Sequence, residues 1–329
     1  ALQATTISAS SNLTVAGYGA FTGNLDVNSD TSKLRIGAGD DFQLYHNGSS
    51  NYIFTNNGNI NLSTTDSAAI TFSTNGSERV RMHSGGNVGI NEDTPDRLLH
   101  ITHTTTPYIR TTLNDTTVST NDVFGAWEFE SLDSSTGSAG VIGKIDCIAS
   151  AGFDGTATNG SVIRFLTSGT NSISLTERVR IDPIGNMGLG VTPNANWPSN
   201  GDSRALQVGT GACIFGRGSG DEDRGGIAVN YYSTGSGNKF LANGHASRIY
   251  MNDGRIDFNT TTAANSSGAN AALTFTTPLS ILANGRIGIN DTSPSVTLET
   301  VGHNQVTFGS MPETIISYGT ASAYNSGSA

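Results

Sequence analysis

The chain has 329 residues, room for two or three domains of about 100–200 residues each. Charged residues make up 13% where about 25% is usual, and 41 glycines exceed the ordinary share of about 7%. The formal net charge is −10 and Lys33, Lys144 and Lys239 are the only lysines, which excludes the clustered basic surface that a nucleic-acid backbone requires and leaves neutral, cationic or glycan partners.

Gly, Ser, Thr and Asn dominate, so no window of about fifteen residues accumulates helix propensity. Hydrophobic residues, 35% of the chain, arrive in short pieces between Gly/Asn/Ser/Thr clusters, the pattern of strands and turns. An all-β protein without long helices is expected. No stretch approaches the roughly 20 apolar residues of a membrane-spanning helix, and no basic-plus-apolar leader opens the chain, so no membrane insertion is expected. The chain starts at Ala1, within an alternating segment around Leu13-Thr14-Val15, and a preceding N-terminal region is expected. Residues 1–30 read as a strand and linker segment.

In chain order, YIFTNNGNINL at 52–62 places Asn57-Gly58 between alternating flanks, the signature of a two-residue hairpin turn. IYMNDGRIDF at 249–258 does the same with Asp253-Gly254. The strongest signal is a repeat: ERVRMHSGGNVGIN at 78–91 returns as ERVRIDPIGNMGLG at 177–190 and as TPLSILANGRIGIN at 277–290. Gly86, Gly185 and Gly285 coincide, as do Gly89, Gly188 and Gly288, and each copy then reaches Pro95, Pro193 or Pro294. Recurring glycines imply close backbone approach or positive φ. Val80, Val179 and Leu279, with Met82, Ile181 and Ile281, keep one apolar face. The opposite face changes from Arg79/Arg81 and Arg178/Arg180 to Pro278/Ser280, so the apolar face is expected to be structural and the arginine face optional. Modules are placed at 31–101, 102–208 and 209–302, with a tail at 303–329. Short strands with one apolar face cannot close a deep core alone; they bury that face by stacking modules or by wrapping identical chains.

The phrase ERVRIDPIGNMGLGVTPNANWPSNGDSRALQV at 177–208, with its sisters, resembles a repeat of bacteriophage tail fibres and tailspikes. LRIGAGDDFQLYHNGSSNYI at 34–53 and the stretch 125–168 are similar to further parts of such fibres. The resemblance implies an elongated, parallel homotrimer of intertwined β-prism or β-helix-like modules. It implies a virion tail-fibre location, a trimeric shaft that attaches the particle to its host, other tail proteins bound through the N-terminal region, and a host glycan or outer-membrane protein as receptor. In many members a self-cleaving C-terminal chaperone follows, and more coding sequence beyond Ala329 is expected here.

Candidate chemistry is sparse, and neither a cofactor nor a metal is expected. Glu128 and Glu130 in WEFE share a strand face with Cα atoms about 6–7 Å apart at ~3.3 Å per residue, within the reach of a glycosidase pair. The alternative function is therefore a tailspike depolymerase. The favoured reading is not enzymatic: Trp127 and Phe129 face the core and the glutamates face water. His100 and His103 sit three apart, on opposite faces of a strand, a poor geometry for one metal. Asp221, Glu222 and Asp223 lack the alternation of a Ca²⁺ loop. Cys147 and Cys213 read as buried thiols without a disulfide. Receptor contacts are sought among Tyr231, Tyr232 and Trp197, with Tyr45 and Tyr108 as further aromatics. Consecutive tyrosines on one strand point to opposite faces, so one of Tyr231 and Tyr232 is expected to be exposed.

Overall fold

A computed structural model of the chain describes residues 30, 32–134, 139–153, 159–197, 204–217, 223–234 and 237–301. All regular structure among them is β, with no α-helix and no helix long and apolar enough to cross a membrane. The chain divides into two compact units, Ala1–Ile109 and Arg110–Ala329.

The first unit holds a three-stranded antiparallel sheet of β1 (Lys33–Ile36), β2 (Phe42–His46) and β3 (Asn51–Thr55). It also holds a four-stranded sheet of β4 (Ile70–Thr74), β5 (Ser77–Met82), β6 (Val88–Ile90) and β7 (Leu99–Ile101). The second unit carries a 13-stranded sheet that starts with β8 (Val123–Ser131), β9 (Gly140–Ala149), β10 (Ser161–Ser168) and β11 (Leu175–Ile181). It continues through β12 (Met187–Leu189), β13 (Arg204–Val208), β14 (Ala212–Gly216) and β15 (Gly225–Val229). A small pair, β16 (Tyr232–Thr234) and β17 (Gly237–Lys239), stands apart from it. β18 (Ser247–Asn252), β19 (Arg255–Thr260), β20 (Thr276–Ile281), β21 (Ile287–Ile289) and β22 (Leu298–Thr300) complete the large sheet.

The repeat is a four-strand unit. β4–β7, β10–β13 and β19–β22 share one topology, two antiparallel steps followed by a parallel one. The registers superimpose: Val80 faces Ile90, Val179 faces Leu189 and Leu279 faces Ile289. The opening strand of each unit carries a motif not singled out above: Ile70-Thr71-Phe72, Ile163-Arg164-Phe165 and Ile256-Asp257-Phe258 all face the repeat strand in the same register.

Each copy's two glycines recur for different reasons. Gly86, Gly185 and Gly285 have φ of 89°, 87° and 80° and close a tight three-residue loop, each donating its N–H to the carbonyl of His83, Asp182 or Leu282. Gly89, Gly188 and Gly288 lie in the middle strand, where an added Cβ would collide with the backbone oxygen of Glu92, Val191 or Asp291. The crossover to the parallel strand lies directly over that glycine and is pinned by a buried proline, Pro95, Pro193 or Pro294. A further position after the strand, Asn91, Gly190 or Asn290, takes φ of 55°, 66° or 53°, a conformation that Asn and Gly tolerate.

Asp253-Gly254, with φ of 52° and 73°, forms the expected two-residue hairpin turn between β18 and β19. Asn57-Gly58 does not. β3 ends at Thr55, whose hydroxyl takes the Asn57 N–H and donates to the Asn57 carbonyl, and no strand follows until β4. The hairpin Asn-Gly of the first unit is Asn75-Gly76, with φ of 51° and 72°, joining β4 to β5.

Candidate functional site

Side chains of the large sheet sort into two unlike faces. One row runs Ile163, Ile181, Met187, Leu206, Ile214, Ile227, Ile249, Phe258, Leu279 and Ile289, each directly opposite the next. A second row, Trp127, Ile145, Phe165, Val179, Leu189 and Val208, lies beside it. These rows are open to solvent along much of their length: Trp127 is 62% exposed, Ile227 54%, and Phe165, Leu189 and Val208 are exposed as well. The first unit repeats the arrangement, with Phe72, Met82, Ile90 and Leu99 exposed. The apolar face thus fails to form a core within one chain. It is an open surface of register-matched apolar side chains.

The opposite face is polar and covered. A bulge after Phe72, and another after Phe165, shifts the pairing by one residue, so that Ser73 faces Glu78 and Leu166 faces Glu177. In an unbroken strand Glu177 and Arg180, three apart, would point to opposite sides. The bulge puts them together: Arg180 donates Nε and Nη2 to the Glu177 carboxylate at 2.6 and 2.8 Å, and Arg81 grips Glu78 at 2.7 and 2.8 Å. The bulged residues, Arg79 and Arg178, reach the hydroxyls of Thr74 and Thr167. The third copy shows a corresponding register shift, and there the position is Pro278, tolerated where a ladder is already interrupted.

In the third copy the cation of this face comes from another position. Where Arg180 is replaced by Ser280, which is fully buried, Ser280 donates to Asp257 at 2.8 Å, and Arg255 from the neighbouring strand holds both Asp257 at 2.6 Å and Ser280 at 3.0 Å. The cation has moved one strand across. In the second copy Arg164 binds the fully buried Asp146 carboxylate with two hydrogen bonds of 2.9 and 2.7 Å, and Lys144 approaches it to 3.1 Å. Burial pushes the Asp146 carboxyl up, but the hydrogen bonds and charges of Arg164 and Lys144 outweigh it and hold it below the usual carboxylate value.

Over β13–β18 this second face receives an aromatic layer, and there the expectation that one of Tyr231 and Tyr232 is exposed is corrected. Trp197 is 1% exposed, Tyr231 2% and Tyr232 1%, packed with Phe215, Phe240, Leu241 and Leu273. Both tyrosines are inside because the chain is not one extended strand. Asn230, at φ 53°, breaks it before Tyr231, and the Asn230 amide clamps the returning loop through Ala242, Asn243 and His245. The Tyr232 hydroxyl bonds Asn270. Tyr45 stacks on Tyr52 with ring centroids 4.8 Å apart, and Tyr108 is exposed.

Glu128 and Glu130 are exposed on the edge strand β8, and Glu128 lies 3.9 Å from Lys144. Trp127 and Phe129 are also exposed, so the expectation that they face a core is corrected; they extend the open apolar face. The register shift between Phe129 and Glu130 places its extra residue, Ile142, on the partner strand β9, so β8 itself runs on without an insertion between the two glutamates. His100 faces Asp96 at 3.2 Å and Glu92 at 3.9 Å, whereas His103 lies beyond the strand, next to Thr105. Among the described residues no group of three or more His, Cys, Asp or Glu is placed to hold a metal. Asp221 and Glu222 lie outside the described residues. Cys213 is buried and its thiol is pushed up to about 12 by desolvation, while Cys147 is only half-buried; both are free.

No family model and no curated protein matches the sequence. Among solved structures, the chain is similar to the carboxy-terminal domain of the bacteriophage T5 L-shaped tail fibre with its intramolecular chaperone domain, at 12% identity over 68% of each chain and a TM-score of 0.37. It is also similar to the carboxy-terminal domain of the same fibre determined as such, at 13% identity over 51% of this chain and 80% of that one, with a TM-score of 0.22.

Proposed function

We propose that this chain is a structural, non-enzymatic subunit of a bacteriophage tail fibre, that it works as a homotrimer, and that it attaches the virion to the surface of a bacterial host. The observation that carries the reading is the open apolar face, matched in register across the strands of the large sheet and repeated in the four-stranded sheet. Apolar area removed from water contributes about 25 cal/mol per Å², and contiguous patches beyond a few hundred Å² mark interaction surfaces. Three identical chains turning these faces toward a common axis would bury all of them with one symmetric solution. The resemblance of the repeat to tail-fibre sequences supports a trimer over other closed assemblies, and supports a virion location.

Sedimentation of the purified chain at micromolar concentration is expected to give a three-chain mass, and Ile227→Glu, in the middle of the open face, should lower it. A stable, folded wild-type monomer would overturn the trimer. The fibre should adsorb to host cells without releasing reducing sugars from their envelopes. Release that disappears in Glu128→Gln/Glu130→Gln would establish the depolymerase instead.

A further inference from the structure

On the polar side of the large sheet, away from the open apolar face, lies a cavity of about 250 Å³ lined by Phe215, Arg217, Tyr231, Ser233, Asn238, Arg248 and Tyr250. Its floor is aromatic: Phe215 and Tyr250 are nearly parallel, with centroids 6.3 Å apart and planes 19° from each other. Arg248 is held in place from three sides. Its guanidinium carbon sits 4.2 Å from the Tyr250 centroid and 4.5 Å from that of Phe275, its Nε donates to Asn259 at 2.7 Å, and its Nη1 donates to the Tyr231 hydroxyl at 3.1 Å. Among the described residues it has no carboxylate partner. In this chain of net charge −10, Arg81, Arg164, Arg180 and Arg255 grip carboxylates and Arg79 and Arg178 reach threonine hydroxyls, whereas Arg248 is set among aromatic rings beside a cavity.

We infer that this cavity binds a carboxylated monosaccharide unit of a surface polysaccharide. The inference rests on the attachment role proposed above and assigns that role a site. A preorganised guanidinium recognises a carboxylate, aromatic faces pack against the apolar face of a pyranose ring, and the Ser233 hydroxyl and Asn238 amide supply the exchangeable donors and acceptors that ring hydroxyls need. The volume falls just under the roughly 300–1,000 Å³ of sites for larger ligands, which fits a single sugar residue. A receptor contact built this way uses buried aromatics with one accessible edge, and so does not require Tyr231 to stand out from the surface.

The test uses the assembled full-length protein, methyl glucuronide, methyl glucoside and inorganic phosphate, with binding followed by saturation-transfer NMR and calorimetry. The glucuronide is expected to bind at least tenfold more tightly than either control. Arg248→Gln should remove that preference. Because Arg248 also packs against aromatic rings, Asn238→Trp serves as the second variant: it fills the cavity from its rim, leaves the guanidinium intact, and should abolish binding of the glucuronide while the thermal midpoint is kept. Equal binding of glucuronide and glucoside, binding of phosphate as tight as glucuronide, or glucuronide binding unchanged in Asn238→Trp would each overturn the site. Adsorption to host cells is measured in parallel. Adsorption without glucuronide binding sinks the cavity and leaves the attachment role standing, whereas glucuronide binding without adsorption supports the cavity and counts against that role.

Discussion

The second and third repeat copies solve one problem with different residues. In both, a four-strand unit must cover its polar face, and in both the sheet registers are the same. The second copy places its cation on the repeat strand itself, at Arg180, and answers it with Glu177 brought round by a bulge. The third places a small hydroxyl there, at Ser280, and draws the cation and the acid from the neighbouring strand, at Arg255 and Asp257. Position 164, an arginine in the second copy, corresponds to Asp257, an acid in the third. What the comparison teaches is that charge balance belongs to a patch of two or three strands, while the backbone belongs to each strand alone. Substitutions at backbone-determined positions should therefore cost the same in every copy, and substitutions in the charged patch should depend on which copy receives them.

The largest expected effect is on the backbone side. Gly188→Val drives a side chain into the Val191 carbonyl and Pro193, with no flexible neighbour to yield, and should destabilise the second unit by more than about 3 kcal/mol. Gly288→Val should cost as much. Gly185→Ala, where the obstacle is the Arg204 side chain rather than backbone and the penalty is mainly the positive φ, should cost only about 1–2 kcal/mol. Thermal denaturation of the three variants decides the matter; equal midpoints for Gly188→Val and Gly185→Ala would remove the distinction between the two glycine rows.

The next effect lies in the charged patch of the second copy. Asp146→Asn leaves Arg164 and Lys144 facing a neutral amide in a mostly buried setting, at a cost of about 2–3 kcal/mol at pH 7. The pH dependence gives a sharper test. Because the folded-state value of Asp146 is depressed, its stabilisation is fully present above the unfolded value of about 3.9 and is lost as pH falls through the folded value. Urea midpoints measured from pH 7 down to pH 3 should fall more steeply for the wild type than for Asp146→Asn. Parallel curves would show that other carboxylates, among them Glu92 held at about 2 by its hydrogen bonds to Thr94 and Thr102, set the acid limit.

The sequence made the all-β character legible, because Gly, Asn and Ser punctuate short apolar runs at strand spacing, and it made the repeat legible through glycines and prolines that answer to backbone geometry. It hid the opening strand of each unit. Ile-x-Phe is short, and its middle residue changes from Thr71 to Arg164 to Asp257 because that position belongs to the variable patch. Sequence alone points to Asn57-Gly58 as the hairpin turn and passes over Asn75-Gly76, because the two dipeptides are identical and the difference lies in what Thr55 bonds and in the strand that returns only after Asn75-Gly76. The burial of both Tyr231 and Tyr232 was illegible because one residue, Asn230, adopts the left-handed conformation and cancels the alternation. Placing Arg79 beside Arg81, and Arg178 beside Arg180, on one face misses a bulge, which leaves little trace in sequence and pairs Arg81 and Arg180 with Glu78 and Glu177.

The smallest effect separates the two copies most directly. Read from sequence, Arg180→Ser merely copies what Ser280 already does in the third repeat, so it should be harmless. In the structure the two sites differ in what surrounds them. Ser280 is buried between Asp257 and Arg255, and both of its hydroxyl partners come with it. A serine at position 180 would find Arg164 across the strand pair in place of an acid, and Glu177 would keep only the 3.9 Å approach of Arg164, itself already committed to Asp146. Loss of a paired, half-buried arginine should cost about 1 kcal/mol. Arg81→Ser, in the first copy, removes the only cation paired with Glu78 among the described residues and should cost a similar amount. Chemical denaturation of both variants measures this. A wild-type midpoint for Arg180→Ser would mean that the Glu177 pair contributes nothing and that the charged patch is as replaceable as its sequence variation implies. A cost in both variants, relieved in neither by added salt up to a few hundred millimolar, would place the pairs in the shielded face of the sheet where Debye screening is weak.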